Sequence, residues 1–139
     1  MWKALFLVVL WVLPVGAREA DPARVDSLLA VAVDTSLGFD RREGVLKEAV
    51  EYDGSGRAMH ALARFFIEKG SRGDAKSWLK QARRREPENA DYLATDAELS
   101  WRGVTRRTSY RKAREALALD PNNVRALFWA GRYVAWSWE

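Results

Sequence analysis

At 139 residues, with 48% hydrophobic and 30% charged side chains, the chain has the size and composition of one folded domain and not of a disordered tail. Its 23 Lys and Arg against 19 Asp and Glu give a formal charge of +4, which favours acidic partners without demanding nucleic acid. The absence of Cys excludes disulfides, thiolate nucleophiles, thiolate metal sites and a lipidated amino-terminal Cys.

The chain opens on Met1, Trp2 and Lys3, runs through apolar residues from Ala4 to Leu13, and reaches Pro14, Val15, Gly16 and Ala17. A basic start, about ten apolar residues and a small-residue close make a secretory signal peptide over 1–17, cleaved after Ala17. A membrane span would need about 20 apolar residues, and this run stops short at Pro14. The expected address is therefore outside the cytoplasm, periplasmic or envelope-associated.

In segment 18–55, Leu28, Leu29 and Val33 are the apolar residues of a first helix, joined through a turn near Gly38 to a second. The stretch from Val45 to Gly54 echoes Lys112 to Pro121, with Gly54 standing where Pro121 does. Segment 56–89 is clearer. Met59, Leu62, Ala63 and Phe66 fall at i, i+3, i+4 and i+7, placing one apolar face on a helix over 57–68. Gly70 and Gly73 bracket a turn, and Ala75, Trp78, Leu79 and Ala82 repeat the spacing on a helix over 74–85. Small residues let two antiparallel helices cross closely while large ones fill the groove beside the crossing. Pro87 then ends the unit.

Pro121 follows Pro87 at thirty-four residues and closes segment 90–123. There Leu93, Ala97, Ala113 and Ala116 keep the pattern, whereas Asp96, Ser100 and Ser109 replace apolar or small residues. In segment 124–139, Leu127, Ala130, Gly131 and Val134 start a further copy on a helix over 124–138, with no second helix before Glu139. Phe128, Trp129, Tyr133, Trp136 and Trp138 surround most of that helix with aromatic groups. The end of a repeat array should be polar outside, so this helix calls for further chain, a partner, or a second copy of itself.

The residues Met59, Leu62, Ala63, Phe66, Ala75, Leu79, Ala82 and Pro87, with Pro121 one repeat on, resemble the tetratricopeptide repeat family across about 23–139. The resemblance implies an all-α solenoid of about three stacked helix pairs, the last incomplete, and a protein-binding scaffold. It also implies that outward residues of the first helices line the concave surface. These are Arg57, His60 and Arg64, then Glu98, Trp101 and Arg102, then Arg125, Phe128, Arg132 and Trp136. Arg grips carboxylates bidentately and aromatics supply contact area, so such a groove suits an extended acidic or carboxyl-terminal peptide. Some members clamp a terminal carboxylate with Lys, Arg and Asn; no Asn stands among these groove positions.

No catalytic, metal or cofactor-binding residues are expected. His60 is the only histidine, and helix spacing sets no nucleophile or orienting carboxylate beside it. One His without Cys leaves only carboxylates as metal ligands. The basic groups Lys80, Arg83, Arg84 and Arg85, and Arg106, Arg107, Arg111, Lys112 and Arg114, fall near second helices, on the expected back of the array. The expectation is a protein or peptide partner, with no nucleic acid and no small-molecule substrate. The alternative is the amino-terminal repeat region of a longer envelope enzyme or assembly protein.

Overall fold

The computed structural model describes residues 19–103 and 105–138. The expected signal peptide over 1–17, with its cleavage point at Ala17, lies outside them. The described residues form seven helices: α1 (Pro22–Ala32), α2 (Phe39–Tyr52), α3 (Arg57–Lys69), α4 (Arg72–Arg85), α5 (Ala90–Arg102), α6 (Arg106–Leu119) and α7 (Val124–Ser137). They pack as α1 on α2, α3 on α4 and α5 on α6, each pair stacked on the next, with α7 against α5 and α6.

Short caps punctuate the chain. The Asp21 carboxylate accepts from the Arg24 N–H at 3.0 Å and Pro22 opens α1, where its missing N–H costs nothing. Asn89 and Asn123, again thirty-four apart, cap α5 and α7: Asn89 Oδ1 accepts from Asp91 and Tyr92, and Asn123 Oδ1 from Ala126. At the start of α3, Gly56 has φ +108°, and a Cβ there would lie 3.2 Å from the Ala82 carbonyl oxygen and the Arg85 Cβ. Only glycine permits both that conformation and that approach.

Burial explains the thirty-four-residue spacing. Met59, Leu62, Ala63 and Phe66 on α3 are buried against Ala75, Leu79 and Ala82 of the α4 face, with Trp78 partly buried beside them. Leu46 and Ala49 on α2, and Ala113 and Ala116 on α6, repeat the buried pair Leu79 and Ala82. The two prolines sit otherwise. Pro87 and Pro121 are exposed and lie in the turns, so they end helices and contribute nothing to the core. Val33 is also corrected: α1 ends at Ala32, leaving Val33 as the cap residue at 74% exposure, while Val25, Leu28 and Ala32 form the buried stripe.

The polar substitutions in the third unit become a network. Ser109 is fully buried and its hydroxyl donates to the Ala97 carbonyl at 2.7 Å. Asp96 receives Arg83 Nη1 and Lys112 Nζ, both at 2.6 Å, and Ser100 donates to the Asp96 carbonyl while accepting from Lys112. Asp96, Ser100 and Ser109 tolerate this setting because each has partners, whereas the buried Nε of Arg83 has none among the described residues. In the first unit, Arg42 is buried although charged. Its Nε donates to the Ala32 carbonyl at 3.0 Å, and its two terminal nitrogens grip Glu68 at 2.8 and 2.9 Å, tying α1, α2 and α3 together. That bidentate bond raises the Arg42 pKa and lowers that of Glu68.

Candidate functional site

Helices α1, α3, α5 and α7, with Arg42, Leu46 and Tyr52 of α2, line two adjoining clefts, of about 840 and 650 Å³, to which α4 and α6 contribute no residue. Leu29, Ala61, Arg64 and Arg125 belong to both, so the clefts meet at Arg64. Helix pairing brings these groups together: α1, α3 and α5 lie side by side, and α7 places Arg125 across α5.

In the larger cleft, Arg57 pairs with Asp26 at 2.9 Å across α3 and α1. Asp53, in the turn before α3, accepts from the backbone N–H groups of Ser55, Gly56 and Ala58 and from the Ser55 hydroxyl. Burial opposes ionisation of Asp53, but those hydrogen bonds win and hold its pKa below the usual value. Glu86 accepts from Asn89 at 2.8 Å and Asp91 from Asn123 at 2.7 Å. Both asparagines near the groove are thus occupied by capping and carboxylates. Burial, then Glu86 and Asp53, push the Tyr92 hydroxyl up to about 12, so it stays neutral.

His60 is mostly buried. Its Nε2 lies 2.8 Å from the Thr95 hydroxyl of α5, and its ring lies 4.6 Å from that of Tyr92. Desolvation, reinforced by the charges of Arg64 and Arg125 and only partly offset by Asp91, pushes its pKa down to about 4. It is a neutral wall of the cleft at ordinary pH.

In the smaller cleft, Glu98 is 9% exposed and acts as a shared anion for two cations. Arg125 Nη1 reaches its Oε2 at 3.0 Å, and Arg102 reaches its Oε1 through Nε and Nη2 at 3.2 and 3.1 Å. Arg64 stands apart. Among the described residues it makes no hydrogen bond or ion pair, and burial together with nearby Arg125 lowers its pKa from the ordinary arginine value. It therefore presents five N–H donors to the junction of the clefts.

Of the ten groove residues expected from sequence, Arg57, His60, Arg64, Glu98, Arg102 and Arg125 come together here. Phe128 lines a neighbouring cleft of about 690 Å³ with Asp91, Glu98 and Arg125. Trp101, Arg132 and Trp136 gather in an aromatic cluster instead. The Arg132 guanidinium lies 5.3 Å from the Trp101 ring, 5.6 Å from Trp129 and 6.0 Å from Phe128, while Arg106 lies 4.6 Å from Trp136. These cations already face aromatic rings within the chain. Sequence reasoning missed Leu29, Asp26, Asp91 and Tyr92. Asp91 and Tyr92 carried a usable signal, since they follow the Asn89 cap in the first turn of a first helix.

No grouping of His, Asp and Glu among the described residues could hold a metal ion, and no described helix is long and apolar enough to cross a membrane. No family model matches the chain, and no curated protein matches it. Among solved structures it is similar to the first TPR of Spaghetti (RPAP3) bound to HSP90 peptide SRMEEVD. That match has TM-score 0.71 and 11% identity, covering 86% of this chain and 98% of that one. It is also similar to PcrH from Pseudomonas aeruginosa, with TM-score 0.65 and 14% identity over 85% of this chain and 92% of that one. The fold is that of stacked tetratricopeptide repeats, an all-α solenoid.

Proposed function

We propose that this chain is an exported, non-catalytic scaffold that holds an extended acidic peptide across the clefts of α1, α3, α5 and α7. The observation that carries the reading is Arg64. It is an exposed guanidinium at the meeting point of two clefts, without an ion pair among the described residues, while the carboxylates around it are taken by Arg57, Arg102, Arg125, Asn89 and Asn123. An incoming carboxylate would meet a partly desolvated donor fork, where a charge-assisted bond is strongest. Leu29, Ala61 and Tyr92 offer apolar contact alongside. The likeness to a repeat solved with an acid-rich peptide supports the same class of ligand.

Fluorescence anisotropy with a labelled extended peptide bearing Glu at alternate positions tests this. Arg64→Glu should weaken binding by roughly five-fold or more, on the order of 1 kcal/mol for a charge reversal at an exposed side chain. Arg132→Glu should change it by less than about two-fold, since Arg132 faces aromatic rings away from that junction. Equal affinity in wild type and Arg64→Glu would reject the peptide site.

The exported address rests on the pattern of residues 1–17. Amino-terminal sequencing of protein recovered from an envelope or periplasmic fraction should begin at Arg18. Recovery of the chain from the cytosol with Met1 to Ala17 intact would remove this part of the proposal.

A further inference from the structure

Helix α7 carries a second surface, which shares only Val124 and Phe128 with the neighbouring cleft of Asp91, Glu98 and Arg125. Val124, Leu127, Gly131, Val134 and Trp138 are all exposed and are spaced 3, 4, 3 and 4 residues apart, the repeat that keeps one face of a helix against another helix. Val124 and Trp138, at its two ends, are 80% and 85% exposed. The preceding units show what such a face does. Met59, Ala63 and Phe66 of α3 occupy the positions of Leu127, Gly131 and Val134 and are buried against α4. Leu93 and Ala97 of α5 are buried with residues of α6. On α7 the corresponding face is open.

Gly131 at its centre is informative. A Cβ there would meet nothing within 4 Å, so no contact within the chain requires glycine, and glycine is a poor helix former. A bare backbone at the middle of an exposed apolar stripe permits close approach by another helix. The stripe is also self-complementary. In an antiparallel pair related by a two-fold axis at Gly131, glycine meets glycine, Val124 meets Trp138, Leu127 meets Ala135 and Phe128 meets Val134. Large groups thus oppose smaller ones, as an isologous interface requires.

Charge and area agree with this arrangement. The only charged side chains of α7, Arg125 and Arg132, are held by Glu98 and by the rings of Trp101, Phe128 and Trp129, so the stripe itself is uncharged. Phe128, with about half of its surface still free, and Trp138 can bury roughly 100–200 Å² each, and the exposed parts of Val124, Leu127 and Val134 bring one copy to at most roughly 500–600 Å². Two copies reach roughly 1,000–1,200 Å², where specific interfaces begin. We propose that the chain forms a weak homodimer through antiparallel packing of α7 on α7 of a second copy, with the two-fold axis at Gly131.

Sedimentation equilibrium of the full chain, up to roughly 500 µM, tests the proposal, with an expected dimer dissociation constant in the micromolar range. Gly131→Leu should weaken the dimer by about ten-fold or more, while thermal unfolding of the monomer stays as cooperative as wild type. Val124→Asp and Trp138→Lys should each weaken it, and the double variant should recover most of the loss, because Asp then faces Lys across the axis. A parallel pair would set Asp against Asp and would not recover. A monomer at every concentration, an unaltered dimer in Gly131→Leu, or a double variant no better than the singles would overturn the proposal.

Discussion

Between pH 6.5 and about 4 the fold should lose about 3 kcal/mol of stability through His60 alone. The folded-state pKa is pushed down from 6.5 to about 4, chiefly by burial and then by Arg64 and Arg125. Above 6.5 both folded and unfolded chains hold the neutral ring, and His60 contributes no pH dependence. As pH falls through 6.5 the unfolded chain takes up a proton that the folded chain refuses, so stability declines until the folded ring also titrates near 4. At about 1.4 kcal/mol per pKa unit, the separation amounts to about 3 kcal/mol.

The carboxylates act in a different window. Asp53 and Glu68 have depressed pKa values, so their contributions are present above the ordinary carboxylate range and are lost as pH falls through their folded values. The interval from 6.5 to about 4.5 therefore belongs to His60, the sole histidine. Urea unfolding across that interval should show a declining midpoint in wild type and a nearly flat one in His60→Gln, whose amide can still reach Thr95. An equal slope in both proteins would show that another group is responsible.

Leu62→Ala should remove about 3–5 kcal/mol. Leu62 is fully buried at the α3 and α4 crossing, within a core shared with Met59, Phe66, Leu79 and Tyr92. Truncation loses the transfer free energy of the side chain and leaves a cavity that close-packed helices cannot fill. Against a total of about 5–15 kcal/mol this is a large fraction. The melting temperature should fall by roughly 10–20 °C in calorimetry. Val33→Ala, at an exposed cap, should stay within about 0.5 kcal/mol. A loss of under about 1 kcal/mol for Leu62→Ala would mean that the repeats are packed more loosely than the structure describes.

The amino-acid order alone determined the helical pairs, their thirty-four-residue repeat and the buried face of α3 and α4. Helix spacing reports which residues share a face, and Pro87 and Pro121 mark where helices stop. These are local properties, carried by residues a few positions apart. Asp96, Ser100 and Ser109 were visible as departures from the repeat, but not the Arg83 and Lys112 partners that make them acceptable. Arg42 gave no sign of burial, because its partners Ala32 and Glu68 lie on two other helices.

The candidate site divides along the same line. The outward positions of α3 and α5 could be read from spacing, yet spacing could not distinguish Arg64 from Arg57, Arg102 and Arg125. Tertiary packing decided that the latter three pair with Asp26 or Glu98, while Arg64 feels Glu98 and Asp91 only at a distance and forms no ion pair among the described residues. It also drew Arg132 among aromatic rings and set Thr95 against His60. A long side chain chooses its partner by distance across neighbouring helices, and that distance exists only once the helices have stacked.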